Sequence, residues 1–298
     1  MEHLDQIRIN FSSDQVSWLN ILLAFIMFGV ALDLRLEDFR RVCTQPRLPI
    51  VGLVSEYLVL PLLTLLLVWG FRPAPSLALG MVLLSVCPGG NVSNFMVHMA
   101  RANSALSVIL TTITTIGAIV MTPLAFGFWA QWAPDTARLL RQVQVDPLAM
   151  VGAIVQLVGI PVVLGLWIRR QWPEVARRLR KPVSRLSLFI FLAFILGALY
   201  ANWEHLHRYV HIVFGLVLVH NGLALLSGYY VGKWGGLALA ERRTIAIETG
   251  IQNSGLGLAL VFNFFQGLGG MALVLAWWGI WHLISGFALA MWWRHRTQ

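Results

Sequence analysis

Glu248, Thr249, Gln252, Asn253 and Ser254 lie together in "ETGIQNSG" (248–255), inside an apolar run that extends from Thr244 to beyond Leu258. Moving a carboxylate from water into a bilayer costs roughly 2.5–3.5 kcal/mol on insertion scales, so Glu248 calls for a functional reason. A second polar island, "CPGGNVSN" (87–94), interrupts an earlier apolar run and carries Ser93 and Asn94. A third stretch, "SVILTTITT" (107–115), sets Ser107 and Thr111 one helical turn apart and so on one face. Two stacked hydroxyls beside a carboxylate form an oxygen-only donor set with one formal charge. Such a set suits Na+ better than a transition metal. The plainer reading of the hydroxyls is hydrogen bonding back to their own helix. Glu56 is the other carboxylate well inside an apolar run. For both glutamates the bland alternative is a protonated, hydrogen-bonded packing role.

Two of these islands should also break their helices. Pro88 lacks a backbone donor, and Gly89 with Gly90 favours non-helical torsions. Gly250 and Gly255 flank the polar cluster of the later run. Unwound backbone at bilayer depth survives only when buried in protein or lining a watery cavity. The two interrupted runs are five apart in order and so antiparallel, which points to an inverted-repeat secondary transporter. In that design freed carbonyls coordinate a cation, and half-helix N-termini face an anionic substrate. Close glycine packing between helices would explain the glycines, but not the polar residues beside them.

The elements that must carry these residues are membrane spans. The chain has 298 residues, 58% hydrophobic and only 12% charged, with a mean hydropathy of +0.72. A soluble domain is about 25% charged, so the composition is that of an all-α polytopic membrane protein. Runs of about 20 apolar residues suffice to span. Nine are found, at roughly 14–34, 48–70, 77–100, 104–128, 147–168, 186–203, 211–232, 244–266 and 271–293, in a single transporter domain covering 1–298. Asp33 lies near the end of the first. The first run lacks the basic n-region and cleavage site of a removable signal. Cys43 and Cys87 cannot make a disulfide framework. Of the 22 basic residues, seventeen fall in linkers after odd-numbered spans or in the C-terminal tail, against five on the other side. The positive-inside rule then puts the N-terminus outside and the C-terminus in the cytoplasm. The net charge of +9 reads as topology in a lipid bilayer, with no nucleic-acid partner.

At these residues the chain resembles the bile acid:sodium symporter family, and resembles its bacterial members closely. The matching stretches are "FIMFGVALDL" (25–34), "CPGGNVSNFM" (87–96), "ARANSALSVILTT" (100–112), "LVLVHNG" (216–222), "ETGIQNSGLGLAL" (248–260) and "WHLISG" (281–286). The resemblance implies a panel domain and a core domain, the core containing two crossing broken helices. It implies a nine-span form that begins at the family's second helix. It also implies two sodium sites: Ser93, Asn94, Ser107, Thr111 and Glu248 match the first. Glu248, the carbonyls of Thr249 and Ile251, the side chain of Gln252, and position 56 match the second. Bacterial relatives carry glutamine at position 56, whereas this chain reads "EYLVLP" (56–61). Glu56 would either strengthen cation binding or share a proton with Glu248, which leaves the ion at this site open. Asn91, Asn253 and His282 match positions facing the substrate cavity, although Leu283 stands where relatives have asparagine. A packed, hydrogen-bonded histidine is the other reading of His282. The implied substrates are organic anions, from bile acids to small carboxylates such as pantoate.

These features predict a secondary-active symporter of the cell inner (plasma) membrane, coupling an organic anion to Na+. A proton-coupled carrier or an exporter of the same fold is the alternative, because of Glu56. An intramembrane hydrolase built on Glu56, Glu248 or His282 finds no HExxH or GxSxG motif to support it. A sensor that binds without transporting would need a signalling appendage, for which the short tails leave no room.

Overall fold

A computed structural model describes residues 5–9, 13–32, 46–90, 92–143, 146–201 and 203–296. Among the described residues the regular elements are helices, joined by two isolated antiparallel bridges, Arg8 with Leu268 and Gly89 with Gln252. Six stretches among the described residues are long and apolar enough to cross a membrane: Asp14–Ala31, Arg47–Phe71, Ser104–Ala130, Pro147–Gln171, Tyr209–Trp234 and Gly269–His295. In chain order the helices are α1 (Ser13–Ala31), α2 (Arg47–Phe71), α3 (Pro75–Ser85), α4 (Val92–Met99), α5 (Ser104–Ala130), α6 (Ala137–Val143) and α7 (Pro147–Gln171). They continue as α8 (Pro173–Ala201), α9 (Trp203–Trp234), α10 (Leu239–Gly250), α11 (Ser254–Phe264) and α12 (Gly269–His295).

The described residues of the expected spans lie largely in helices, and the third and eighth divide near Pro88 and the glycines, into α3–α4 and α10–α11. Asp33 and Cys43 lie outside the described residues. The expected linkers differ more. The segment 169–185 is almost wholly helical, because α8 begins at Pro173, and the segment after 203 is helical because α9 begins at Trp203. The basic residues therefore do not all lie in linkers or tails. Arg242 and Arg243 belong to α10, and Arg243 is buried with its guanidinium 5.6 Å from the Trp293 ring. Stacking on an indole lets a long basic side chain sit inside while keeping a favourable electrostatic contact.

Helices α1, α7 and α8 pack on one another, with Gly29 against Val183 and Gly165 against Ala31. Arg169 closes this group by donating from Nη1 to the Leu32 carbonyl at 2.6 Å. Helix α9 lies along α10, where Gly228 lets the backbone of Ile245 and Ala246 come close. Helix α3 packs on α12 in the same way, Gly80 facing Met271. Small residues permit such approaches where lipid offers no hydrophobic drive between helices.

Helix α2 contains a π-helical turn, Ser55–Val59, in which the Leu60 N–H donates to the Ser55 carbonyl. Pro61 follows, and its missing N–H accounts for the slip of the ladder. An equivalent turn, Val155–Gly159, precedes Pro161 in α7. The first of these turns carries Glu56.

Candidate functional site

The two helix breaks meet. Gly90 donates its N–H to the Ile251 carbonyl at 2.7 Å, and the Asn253 N–H donates to the Pro88 carbonyl at 2.8 Å. The result is a one-rung antiparallel bridge between residues far apart in sequence. Each break thus satisfies backbone groups that the other leaves without helical partners, as buried backbone requires. Asn253 caps α11 by accepting the Leu256 N–H at 3.0 Å. Asn103 caps α5 in the same manner, accepting from Leu106 at 3.0 Å.

Beside this crossing, Glu248 is fully buried near the end of α10. Ser93 on α4 donates to Oε1 at 2.5 Å, and Ser107 on α5 approaches the same oxygen at 2.5 Å. Thr111 donates to Oε2 at 3.0 Å. Asn94 Oδ1 stands 2.7 Å from Ser107 Oγ and 3.5 Å from Thr111 Oγ1. A hydroxyl has a single proton, so Ser107 can serve either Glu248 or Asn94 but not both. Three hydroxyl protons face a carboxylate, an amide oxygen and, for Thr111, the Ser107 carbonyl at 3.0 Å. The cluster is richer in lone pairs than in protons, which is the chemistry of a hard-cation site.

Glu56 reaches the crossing from α2. Both its carboxylate oxygens are buried without a hydrogen-bond partner. A Cβ placed on Gly89 would lie 3.1 Å from Glu248 Oε2, 3.6 Å from Thr114 Oγ1 and 3.7 Å from Glu56 Oε2. The two carboxylates therefore flank the space that the missing side chain of Gly89 leaves. Ser55, also in the π turn, shares a 2.7 Å hydrogen bond with the Thr249 hydroxyl and so docks α2 on α10.

The first five sequence-predicted residues come together: Ser93, Asn94, Ser107, Thr111 and Glu248. The second set is close but partly engaged. The Thr249 carbonyl accepts from Gln252 Nε2 at 3.1 Å, and the Ile251 carbonyl accepts from Gly90. Each carbonyl keeps a second lone pair. Gln252 Oε1 is buried and has no partner. Asn91 lies outside the described residues. Asn253 Nδ2 sits 3.7 Å from Met27 Sδ of α1. His282 is buried on α12 with Nδ1 unpartnered, and its carbonyl receives a long hydrogen bond from Ser285.

Sequence reasoning gave no role to Asn221 of "LVLVHNG". Its Nδ2 donates to the Gly250 carbonyl at the end of α10 (2.8 Å), and its Oδ1 accepts from Ser285 of α12 (2.6 Å). Neighbouring His220 pairs with Thr64 of α2 at 2.8 Å. Two polar residues in an otherwise apolar span were the available signal. Thr114, which accepts the Gly89 N–H at 3.3 Å, was likewise missed.

Membrane-length apolar helices around a buried oxygen cluster at two crossing helix breaks define a polytopic helical membrane protein. Residues 20–208 match the sodium bile acid symporter family. An uncharacterized sodium-dependent transporter of Bacillus subtilis (strain 168), YocS, is 32% identical over 283 residues, covering 95% of this chain and 84% of that protein. The ileal sodium/bile acid cotransporter of Homo sapiens is 27% identical over 245 residues, covering 82% of this chain and 68% of that protein. The chain belongs to the sodium bile acid symporter family.

Proposed function

We propose that the protein is a secondary-active symporter that carries an organic anion, bile-acid-like or a small carboxylate such as pantoate, together with Na+. Ser93, Asn94, Ser107, Thr111 and Glu248 form a first sodium site. Glu56, Glu248, the carbonyls of Thr249 and Ile251, and Gln252 Oε1 form a second. Asn253 and His282 face the anion, and Asn91 is assigned to it by the motif match alone. The observation that carries this reading is the excess of acceptor oxygens around Ser107 and Glu248, which a cation would satisfy and water-excluded hydroxyls do not.

In this reading Na+ neutralises Glu248 and draws α4, α5 and α10 together, fixing the crossing. The N-terminal end of α11 then offers partial positive charge to the substrate carboxylate. The helices form nine spans in two inverted repeats. A panel containing α1, α7 and α8 lies against a core holding the broken helices, and alternating access follows as the core rocks on the panel. The protein resides in the inner (plasma) membrane with its N-terminus outside and its C-terminus cytoplasmic. A proton-coupled carrier or exporter of the same fold is the second reading, and the unpartnered Glu56 oxygens favour it.

Thermal unfolding of the purified protein against a panel of carboxylates, with Na+ or with K+, tests the proposal. A ligand that binds the folded state raises apparent stability by mass action. Stabilisation by Na+ and not K+, increased by one class of anion, is expected. Equal responses to both cations would contradict sodium binding.

A further inference from the structure

The corner between α7 and α8 carries a charge pattern for which the transport reading has no use. Residues 169–185 contain seven basic residues and one acid, Glu174. Arg170, Arg177, Arg178, Lys181 and Arg185 are exposed. Glu174 pairs with Arg177 at 2.6 Å, both side chains being more than half exposed, so it offsets little of this charge.

Topology explains the sign of the charge but not its arrangement. Along α8, Val175, Leu179 and Leu186 share one helical face and are 45%, 40% and 50% exposed. Arg177, Lys181 and Arg185 recur every four residues on the roughly opposite face, with Arg178 at its flank. A third face is packed: Ala176 and Ser187 are buried, and Val183 meets Gly29 of α1. Trp167 and Trp172, each 50% exposed, pack edge to face at 5.1 Å where the helix begins.

Helix α8 has 29 residues. On the nine-span reading proposed above, at about 1.5 Å per residue it exceeds a hydrocarbon core of about 30 Å, so its first turns lie at the membrane surface. An exposed apolar stripe opposite a basic face is the pattern of a helix seated at the boundary of headgroups and acyl chains. Tryptophans mark the same depth.

We infer that the α7–α8 corner is a docking surface for the phosphodiester headgroups of anionic phospholipids. Val175, Leu179 and Leu186 lie against acyl chains, while Arg177, Arg178, Lys181 and Arg185 meet the phosphates. Guanidinium groups match phosphate oxygens in pairs, and clusters of this size beside a span attract anionic leaflets. A free phosphate would answer the basic face but leave the apolar stripe uncovered.

Thermal unfolding of the full-length protein in neutral detergent, at constant Na+ and without any transport substrate, tests the surface. Short-chain phosphatidylglycerol should raise the apparent melting temperature, whereas short-chain phosphatidylcholine and inorganic phosphate should not. The Arg177→Gln/Arg178→Gln/Lys181→Gln/Arg185→Gln variant should lose the shift. Equal stabilisation by both lipids, a shift retained by the variant, or a shift reproduced by phosphate alone would each overturn the inference. Should the variant lack a cooperative transition, choline chloride decides with the wild type. At about 1 M salt the screening length is about 3 Å, and a phosphatidylglycerol shift that survives it would overturn the inference. The readout is lipid binding, so the result stands apart from whether the protein carries Na+.

Discussion

Ser107 Oγ lies 2.5 Å from Glu248 Oε1 although 141 positions separate the two residues. The contact joins α5 to the broken helix α10, and both residues are held from behind. Ser107 is fixed in an unbroken helix, while Glu248 stands two residues before the end of α10, where Asn221 grips the Gly250 carbonyl. Packing alone does not require a carboxylate there.

Removing the hydroxyls tests whether they serve a cation or only the helix. On the proposed reading Ser107→Ala with Thr111→Ala removes two of the oxygens offered to Na+ and should weaken Na+ affinity by roughly tenfold, about 1.4 kcal/mol. Substrate affinity at saturating Na+ should change much less. Unchanged Na+ dependence of uptake would reduce both residues to helix packing.

Gly89 bears on the same geometry from the other side. Gly89→Ala would set a methyl group 3.1 Å from Glu248 Oε2, tighter than ordinary contact. Sodium dependence of uptake should shift to higher concentrations, while the melting temperature without Na+ moves little. A normal Na+ dependence would mean that the space between the carboxylates is not used.

Much of this site is legible in the sequence because its signals are local. Pro88, Gly89 and Gly90 break one helix wherever they stand, and Ser107 with Thr111 share a face by spacing alone. Glu248 announces itself through the cost of its burial. What the sequence does not reveal is which group answers which. The pairing of Gly90 with Ile251 and of Asn253 with Pro88 arises from two breaks crossing in space. The aim of Glu56 depends on a π turn, and Pro61 alone would equally predict a simple kink. The helical extent of α8 was hidden by its basic residues, which resemble a linker until their three faces are separated.

Asn221 holds the end of α10 and the middle of α12 at once. Asn221→Ala leaves a buried carbonyl and a hydroxyl without their partner, at about 1–3 kcal/mol. The melting temperature should fall, while added Na+ should still raise it. A melting temperature equal to wild type would show that the two contacts contribute nothing to the core.

Glu56 separates the two coupling readings. Two carboxylates facing one space bind protons and cations in competition, and the titration belongs to the pair. Uptake at fixed Na+ should then depend on pH in the wild type, with a profile that belongs to the pair. In Glu56→Gln the profile should flatten while sodium coupling persists. Superimposable profiles in the two proteins would make Glu56 a spectator.

The most direct measurement is Na+-driven uptake in membrane vesicles by Glu248→Ala, set beside the Na+-induced rise in its melting temperature. Glu248 is the charge shared by both proposed sites, so both responses should vanish while the protein remains inserted and folds cooperatively. Uptake and sodium stabilisation close to wild-type values, at equal expression, would contradict the assignment of the crossing as the cation site.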